Sequence, residues 1–564
     1  KTVQLWAIPA KGGRARQVTS LKDGITDFAL APDGKRAVVV AEVDPTPHPR
    51  YTGKAKDAPR SSPPIVIDRF NFRQDGRDWI EDGTAQLHLV DLKNGSATQL
   101  TKGAFDVSAP SWSPDGSLIA YASWRDAAAD RVGDSDVFVI APQVDATPRR
   151  ISPSNNADAD PISSGERPAW SPDSRRLAWT TQAEPKWIYY SPPQLSVADL
   201  ASGTVKEVAR IDRFTYAPRW SSDGSRILAM IEQDRAMWLA SIDPDADKVS
   251  YLSNGPVAAT GFALGAGGRI ALLEGTDTTI DRLRKLGEDD SVLADHNPWL
   301  AQRQLGEVRE VAYPSADGTP IHGLVTLPPP GVAPAGKKPP LMVRVHGGPV
   351  SQYDHSFSPD AQIYAAQGYV VLTVNPRGSS GRGFDFARAI YADWGNKDVA
   401  DVSAGISWVL DNGMADPDRI AVGGWSYGGI LSNYLVASDP RIKAAVSGAG
   451  VSNVFGLWGV DQYIREYEQE LGTPWANADT FTRLSYPFFK ADRIKAPTLF
   501  LCAEEDHNVP CAGAQQMYQA LKSTGVPTRL VVYPGETHGL TAPSHVRDRI
   551  ERSLAWYERY LNGK

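Results

Sequence analysis

The chain of 564 residues has only two cysteines, no run of roughly 18 apolar residues and no excess of positive charge. A helix that crosses a bilayer needs such a run, so no membrane span is expected. The formal net charge is −7, whereas nucleic-acid-binding domains are typically basic, so the charge does not indicate nucleic-acid binding. The composition is that of a large soluble globular protein with room for two domains.

The two cysteines are Cys502 and Cys511. They flank an acidic loop, and a disulfide around that loop is one interpretation. Two free buried thiols are the favoured one, so the compartment stays open between bacterial cytoplasm and periplasm. No signal peptide is visible, although the chain opens on a lysine and a leader could have been removed.

The most informative motif is Gly-Trp-Ser-Tyr-Gly at residues 424–428. The apolar run at 419–423 predicts a buried strand before it, and 429–437 predicts a helix after it. A serine on a sharp strand-to-helix turn is the nucleophile elbow of α/β-hydrolases, where flanking glycines avoid clashes with neighbouring backbone. The motif alone can occur by chance, so Ser426 is the predicted nucleophile only if its partners follow.

Two candidate partners follow Ser426 in the chain order of this fold, which is acid and then histidine. Asp506 follows a predicted strand at 496–502, and His538 follows a predicted strand at 528–533. Active sites of open α/β sheets lie at the carboxyl ends of strands. We therefore predict that His538 takes the proton from Ser426 and that Asp506 orients the imidazole.

Other acids and histidines near these loops are weaker candidates. Glu504 and Glu505 are interpreted as solvated loop carboxylates. His507 is adjacent to Asp506, and adjacent loop residues usually point apart. His545 is interpreted as a surface residue of the last helix or its approach.

An oxyanion hole is predicted beside the elbow. His-Gly-Gly-Pro at 346–349 follows an apolar strand at 341–345, and loops of this type supply one backbone N–H to the developing oxyanion. The residue after the nucleophile supplies the other. Gly348 and Tyr427 are the predicted donors, each worth roughly 3–4 kcal/mol when removed.

Two residues near these motifs are assigned structural roles. His346 is predicted to shape its loop rather than to transfer protons. Arg377 resembles a carboxylate clamp, but we interpret it as an ion-pair partner of Asp398 or Asp401 in the following helix.

The N-terminal half contains a loose repeat of strand, Pro/Asp/Gly turn and strand. Four short strands per repeat are typical of a propeller blade. The repeat tryptophans are expected to pack between blades and the repeat aspartates to cap turns; they are Trp112, Trp170, Trp220, Asp33, Asp115, Asp173 and Asp223. The uneven spacing indicates insertions, the largest near 44–84.

Taken together, the motifs resemble the prolyl oligopeptidase family of serine peptidases, in its acylaminoacyl-peptidase and dipeptidyl-peptidase-like branch. The segments that carry the resemblance are 346–349, 375–381, 424–429 and 506–510. The resemblance implies an all-β propeller of about seven blades over residues 1–304, joined to an α/β-hydrolase domain over 305–564. Relatives range from monomers to hexamers, so a homo-oligomer is left open.

The resemblance implies that short peptides are hydrolysed through an acyl-enzyme on Ser426, in an exopeptidase of dipeptidyl or acylaminoacyl type. Asn508 stands where relatives hold the carbonyl of the residue before the cleaved one, and asparagine there is closer to the dipeptidyl type. An apolar first subsite is predicted, and its candidate side chains, with plain core packing as the alternative, are Val451, Val454, Trp458 and Val509.

Two alternatives remain. The first keeps the chemistry and changes the bond, as in an esterase or an isopeptidase acting on an unusual peptide. The second is a propeller-based binding protein with an inactive hydrolase domain, and the complete set of predicted catalytic residues argues against it. A short peptide is the expected partner, and no metal or cofactor is expected.

Overall fold

The structure is a computed structural model that describes all residues except 1, 44–64, 81–82, 126–128, 154–156, 159–165, 183–184, 288–289, 333–335 and 564. Short strands dominate its N-terminal half. They are β1 (Trp6–Ala7), β2 (Arg16–Gln17), β3 (Asp27–Leu30), β4 (Arg36–Val43), β5 (Arg73–Gln74), β6 (Asp78–Trp79), β7 (Thr84–Asp91), β8 (Ala97–Gln99), β9 (Val107–Trp112), β10 (Ile119–Ser123), β11 (Asp136–Ile140), β12 (Arg149–Arg150), β13 (Ala157–Asp158), β14 (Ala169–Trp170), β15 (Arg176–Gln182), β16 (Gln194–Asp199), β17 (Val205–Val208), β18 (Thr215–Trp220), β19 (Ile227–Gln233), β20 (Ala236–Asp243), β21 (Lys248–Tyr251), β22 (Ala258–Leu264), β23 (Ile270–Thr276), β24 (Thr279–Leu286) and β25 (Ser291–Ala294).

Helical segments in this half are short. They are α1 (Ala129–Val132) and the 3-10 helices Pro185–Tyr190, Ala266–Gly268 and Pro298–Gln302. None of the described helices, here or in the C-terminal half, is long and apolar enough to cross a membrane.

Within the described residues these strands form four sheets and two separate two-stranded pairs, β1-β2 and β5-β6. Two sheets have four strands, β3-β4-β7-β8 and β9 to β12, and in a third β13 adds to the four-stranded unit β14 to β17. The fourth sheet has eight strands and consists of two four-stranded antiparallel units, β18 to β21 and β22 to β25, joined by a parallel contact between β20 and β22. Repeated four-stranded units are the architecture of a propeller, in which radial repetition leaves few exposed edges. The described units are fewer than the about seven blades that the resemblance implied.

The repeat tryptophans join neighbouring units, as predicted. Each is buried, and its indole N–H donates to a carbonyl on the first strand of the preceding unit. The bonds run from Trp112 to Ala29 (3.1 Å), from Trp170 to Ser111 (3.3 Å) and from Trp220 to Ala169 (3.0 Å). A buried indole needs such an acceptor, so these residues serve packing rather than ligand binding.

The repeat aspartates cap their turns, as predicted. Each carboxylate accepts a hydrogen bond from the backbone N–H two residues later. The distances are 2.8 Å for Asp33, 3.0 Å for Asp115, 3.1 Å for Asp173 and 3.0 Å for Asp223.

The C-terminal half is built on one eight-stranded sheet. Its strands are β26 (Val308–Pro314), β27 (Pro320–Thr326), β28 (Leu341–Val345), β29 (Val370–Asn375), β30 (Ile420–Trp425), β31 (Ile442–Gly448), β32 (Thr498–Ala503) and β33 (Thr528–Tyr533). The order is β26-β27-β29-β28-β30-β31-β32-β33. Strands β28 to β33 run parallel, and β26 and β27 form an antiparallel edge. The predicted domain boundary near residue 304 falls just before β26.

Helices cover both faces of this sheet. They are α2 (Pro359–Ala366), α3 (Phe384–Ala387), α4 (Lys397–Asp411), α5 (Tyr427–Ser438), α6 (Ile464–Glu470), α7 (Ala478–Leu484), α8 (Tyr486–Phe489), α9 (Cys511–Thr524) and α10 (Pro543–Tyr557), with short 3-10 turns and a terminal π-helix (Glu558–Asn562).

Strand β28 shows why its sequence reads as one apolar run. Val343 packs into the core beneath α4 and α5, and its neighbour Met342 packs into the core beneath α2 and α10. A parallel strand with helices on both faces is buried on both sides, so apolar residues do not alternate with polar ones.

Candidate active site

Ser426 lies on the turn between β30 and α5. Its backbone has φ 62° and ψ −128°, a conformation that costs a non-glycine residue energy and that clusters at functional sites. The Ser426 N–H donates to Gly448 O at 3.0 Å, which anchors the turn to the neighbouring strand β31. The side chain is half-buried, so the turn presents the hydroxyl at the carboxyl edge of the sheet.

The glycines of the elbow are required because strand β28 runs directly beneath the turn. A Cβ on Gly424 would lie 2.4 Å from Val345 O, and one on Gly428 would lie 2.2 Å from the same oxygen. Both distances are far inside van der Waals contact with backbone, which has little freedom to move. The close approach lets α5 begin immediately after the nucleophile.

Gly428→Ala should therefore lower the free energy of unfolding by about 3 kcal/mol or more, because overpacking a rigid contact forces backbone shifts. The midpoint of urea unfolding measures this. Gly539→Ala is the matched control in the same domain, since a Cβ there meets no atom within 4 Å. Equal midpoints for the two variants would contradict the packing argument.

Asp506 and His538 are brought together by the loops that leave β32 and β33. His538 Nδ1 lies 2.8 Å from Asp506 Oδ2. Asp506 is 2% exposed, and its Oδ1 accepts from the backbone N–H groups of Asn508 (2.9 Å) and Val509 (2.7 Å). These bonds hold the carboxylate in one orientation and leave its second oxygen for the imidazole.

The loop of His538 is also bonded to the elbow. Trp425, the residue before Ser426, donates its indole N–H to His538 O at 2.9 Å. Among the contacts of the described residues there is no hydrogen bond between Ser426 Oγ and the imidazole. Such bonds are often long without substrate and tighten in the substrate complex.

The His-Gly-Gly-Pro loop lies against Ser426. A Cβ on Gly347 would lie 3.8 Å from Ser426 Oγ, and the next residue, Gly348, is exposed with φ 120° before a cis bond to Pro349. Tyr427 is the first residue of α5, where backbone N–H groups have no partner within the helix. Tyr427 thus follows the nucleophile directly and Gly348 follows the residue that lies against it, and the roles of both as oxyanion donors remain predictions.

The side chain of Tyr427 points into the core. Its hydroxyl donates to Asp398 Oδ2 at 2.6 Å, and its ring packs edge-on against Trp394. Burial raises the pKa of Asp398 to about 6. This contact, which the sequence did not suggest, anchors the first turn of α5.

The two structural assignments are confirmed by contacts. Arg377 pairs with Asp401, with Nη2 2.7 Å from Oδ1, and not with Asp398. His346 Nδ1 lies 2.7 Å from Gly347 O of its own loop, and Nε2 lies 2.9 Å from Ser379 Oγ of the loop after β29. Desolvation lowers the pKa of the ring to about 4. A neutral ring bonded on both sides in this way shapes its loop.

Residues 355–564, which include Ser426, Asp506 and His538, match the family described as the prolyl oligopeptidase family. The predicted family resemblance is confirmed. Three relatives are similar over most of the chain. They are the uncharacterized peptidase YuxL of Bacillus subtilis (26% identical, covering 99% of this chain and 86% of the relative), dipeptidyl-peptidase 5 of Porphyromonas gingivalis (25%, 95% and 80%) and the human acylamino-acid-releasing enzyme (26%, 84% and 61%).

Solved structures show the fold. The acylaminoacyl peptidase of Pyrococcus horikoshii has a TM-score of 0.83 at 22% identity, covering 100% of this chain and 85% of its own. A puromycin-hydrolyzing peptidase of Mycobacterium tuberculosis has a TM-score of 0.76 at 21% identity, covering 99% and 83%. The fold is thus a β-propeller joined to an α/β-hydrolase domain. The prolyl oligopeptidase family match and the relatives support a serine peptidase.

The prediction of two free thiols was wrong. Cys502 and Cys511 form a disulfide, with an S–S distance of 2.02 Å and Cα atoms 5.1 Å apart. Cys502 lies in β32 and Cys511 begins α9, and the intervening loop folds back on itself around Asp506. The turn brings the two Cα atoms within the range that a disulfide spans.

The side chains proposed for an apolar first subsite are mostly buried. Val451 and Val454 are 2% exposed and Val509 is 6% exposed, and all three belong to the core beneath the site. Trp458 is partly buried and packs edge-on against the exposed Trp475. Their contact with substrate remains a prediction.

Asn508, next to Val509 in the loop of Asp506, carries a polar side chain. Its Oδ1 is buried and makes no hydrogen bond within the described part of the chain. Amide oxygen and nitrogen are assigned rather than observed, so either end of this group can face a ligand.

A propeller residue that no sequence motif indicates also reaches the site. Within the large insertion between β4 and β7, the pair β5-β6 reaches the hydrolase domain, and Asp75 at its tip contacts the backbone of both His507 and His538. The insertion's prolines at positions 45–64 lie outside the described residues. No motif marked Asp75, because its role depends on a contact between domains.

Proposed function

We propose that this protein is a serine exopeptidase that cleaves short peptides through an acyl-enzyme on Ser426. The observation that carries the proposal is the contact of Asp506 with His538 on a loop bonded to the nucleophile elbow. Asp506 orients the imidazole and stabilises its protonated form.

The steps follow from these positions. Ser426 Oγ attacks the scissile carbonyl carbon while His538 takes the hydroxyl proton. The negative charge on the carbonyl oxygen is met by the N–H groups of Gly348 and Tyr427. The imidazolium then gives its proton to the leaving amine as the C–N bond breaks, and water repeats the sequence to release the acid.

The type of exopeptidase is inferred from Asn508 and from the relatives. An amide beside the acid loop can hold the carbonyl of the residue before the cleaved one, as expected for dipeptidyl or acylaminoacyl substrates. The relatives include proteins named for each activity. The propeller supports a preference for short chains, because its hairpin lies over the loops of Asp506 and His538.

The test is a matched chromogenic set: a free-amine dipeptide, its acetylated form, an acetylated single residue, a blocked longer peptide and an aryl ester, each with an apolar and an acidic residue before the cleaved bond. We expect turnover of the free dipeptide or the acetylated residue, with the apolar form preferred by about 10-fold or more. Ser426→Ala is the blank.

Other outcomes separate the alternatives. Cleavage of the ester alone would indicate an esterase. Failure of wild-type protein to take up a fluorophosphonate at Ser426 would indicate an inactive hydrolase domain. Turnover that persists in Ser426→Ala would overturn the assigned nucleophile.

A further inference from the structure

We propose that Asp75, carried by the propeller, is a positioning residue for His538, so that the catalytic geometry is complete only while the propeller hairpin is seated on the hydrolase domain. This inference rests on the proposed function of Ser426 and His538. The hairpin is defined here as residues 73–79, which comprise β5, β6 and the turn between them.

One carboxylate bridges two loops. Asp75 Oδ1 accepts from the backbone N–H of His507 at 3.1 Å, and Oδ2 accepts from the backbone N–H of His538 at 3.1 Å. The first loop carries Asp506 and the second carries the predicted base. Hydrogen bonds to an ionised acceptor are about twice as strong as neutral ones, so this bridge restrains both loops together.

The main chain of His538 is therefore held from two sides. Its N–H bonds to Asp75 of the propeller, and its carbonyl accepts from Trp425 of the elbow. With both backbone groups fixed, rotation of the residue is restricted, and its ring faces Asp506. A displacement of about 1 Å at a catalytic group can cost 100-fold in rate.

Further contacts hold the hairpin against the hydrolase domain. The Asp75 N–H donates to Gln462 Oε1 at 2.9 Å, and Gln462 N–H donates to His507 O at 3.0 Å. The ring of His507 contacts the hairpin at two points: its Nε2 lies 3.1 Å from Asp78 Oδ1, and its Nδ1 lies 3.4 Å from Arg73 Nη1. His507 thus faces the propeller, which explains why it is not the base.

The consequence is a link between domain closure and catalysis. If the propeller moves away to admit substrate, the N–H groups of His507 and His538 lose their shared acceptor. The loops of the acid and the base are then less restrained until the hairpin returns.

The test compares Asp75→Ala, Asp75→Asn and the surface control Asp23→Ala, whose carboxylate is exposed near Lys22. We expect Asp75→Ala to lower kcat by about 10- to 100-fold with KM within about 3-fold of wild type. Asp75→Asn keeps one neutral acceptor and should recover part of kcat. Asp23→Ala should match wild type. Unchanged kcat in Asp75→Ala, or a rise in KM alone, would overturn the inference.

A second measurement does not depend on turnover. In a Ser426→Ala background, Asp75→Ala should speed hydrogen exchange of backbone amides in residues 504–510 and 535–541, while strand β30 stays protected. Unchanged exchange in both loops would overturn the bridge even if the wild-type protein cleaved no substrate. Turnover by wild type together with full kcat in Asp75→Ala would leave the proposed function standing and remove only this inference.

Discussion

His538→Ala should lower kcat by about 10⁶-fold, because removing the base of a serine peptidase costs nearly as much as removing the whole triad. Without the imidazole, Ser426 loses its proposed base and the leaving amine loses its proposed proton donor. His346 does not substitute, since its ring is tied to Ser379 and its pKa is lowered to about 4. Steady-state turnover of the best chromogenic peptide measures the effect.

His545→Ala is the matched control, because this histidine lies seven positions later and pairs with Glu536 rather than with Asp506. It should keep kcat within a few-fold of wild type. Unfolding midpoints of both variants should stay close to that of wild type. A loss of less than 100-fold in His538→Ala would assign the base to another group.

Local patterns predicted the parts of the fold that depend on neighbours in sequence. The apolar-rich run at 341–345 is strand β28, because a central parallel strand with helices on both faces is buried on both sides. The predicted strand at 528–533 is strand β33, which lies at the edge of the sheet and is only partly buried. The tryptophans of the repeat were assigned to packing because they recur at equivalent positions, and the indole bonds between units agree.

Site residues could be predicted from the sequence where a motif requires one particular backbone conformation, as the elbow turn does. The elbow has no room for a side chain at the positions two before and two after Ser426, and the sequence shows this as Gly424 and Gly428. Asp506 and His538 were predicted as acid and base from their place after strands, since parallel strands end at one edge of the sheet, and the structure brings the two side chains together.

Contacts between distant segments were not predictable. Asp75 and His507 are 432 positions apart, and nothing in a single carboxylate on a turn indicates its partner. The disulfide was missed for a related reason. Whether Cys502 and Cys511 pair depends on how sharply the acid loop folds back, which local composition does not reveal.

Asp506→Asn should lower kcat by about 10⁴-fold with the fold intact. All three partners of this carboxylate are donors: the Nδ1 position of His538 and the backbone N–H groups of Asn508 and Val509. An asparagine amide has one accepting oxygen and one donating nitrogen. If its oxygen stays with the backbone, its nitrogen faces His538 and favours the wrong tautomer, in which Nε2 carries the proton and cannot act as base.

The opposite orientation of the amide is no better for the buried site. It would serve His538 but would leave the backbone N–H groups of Asn508 and Val509 facing a donor in a position that is 2% exposed. Glu505→Gln is the control, since that neighbouring carboxylate is exposed and should change kcat little. If Asp506→Asn kept kcat within 10-fold of wild type while Glu504→Gln or Glu505→Gln abolished it, the acid would be one of the two glutamates. The buried carboxylate would then serve only to close its own loop.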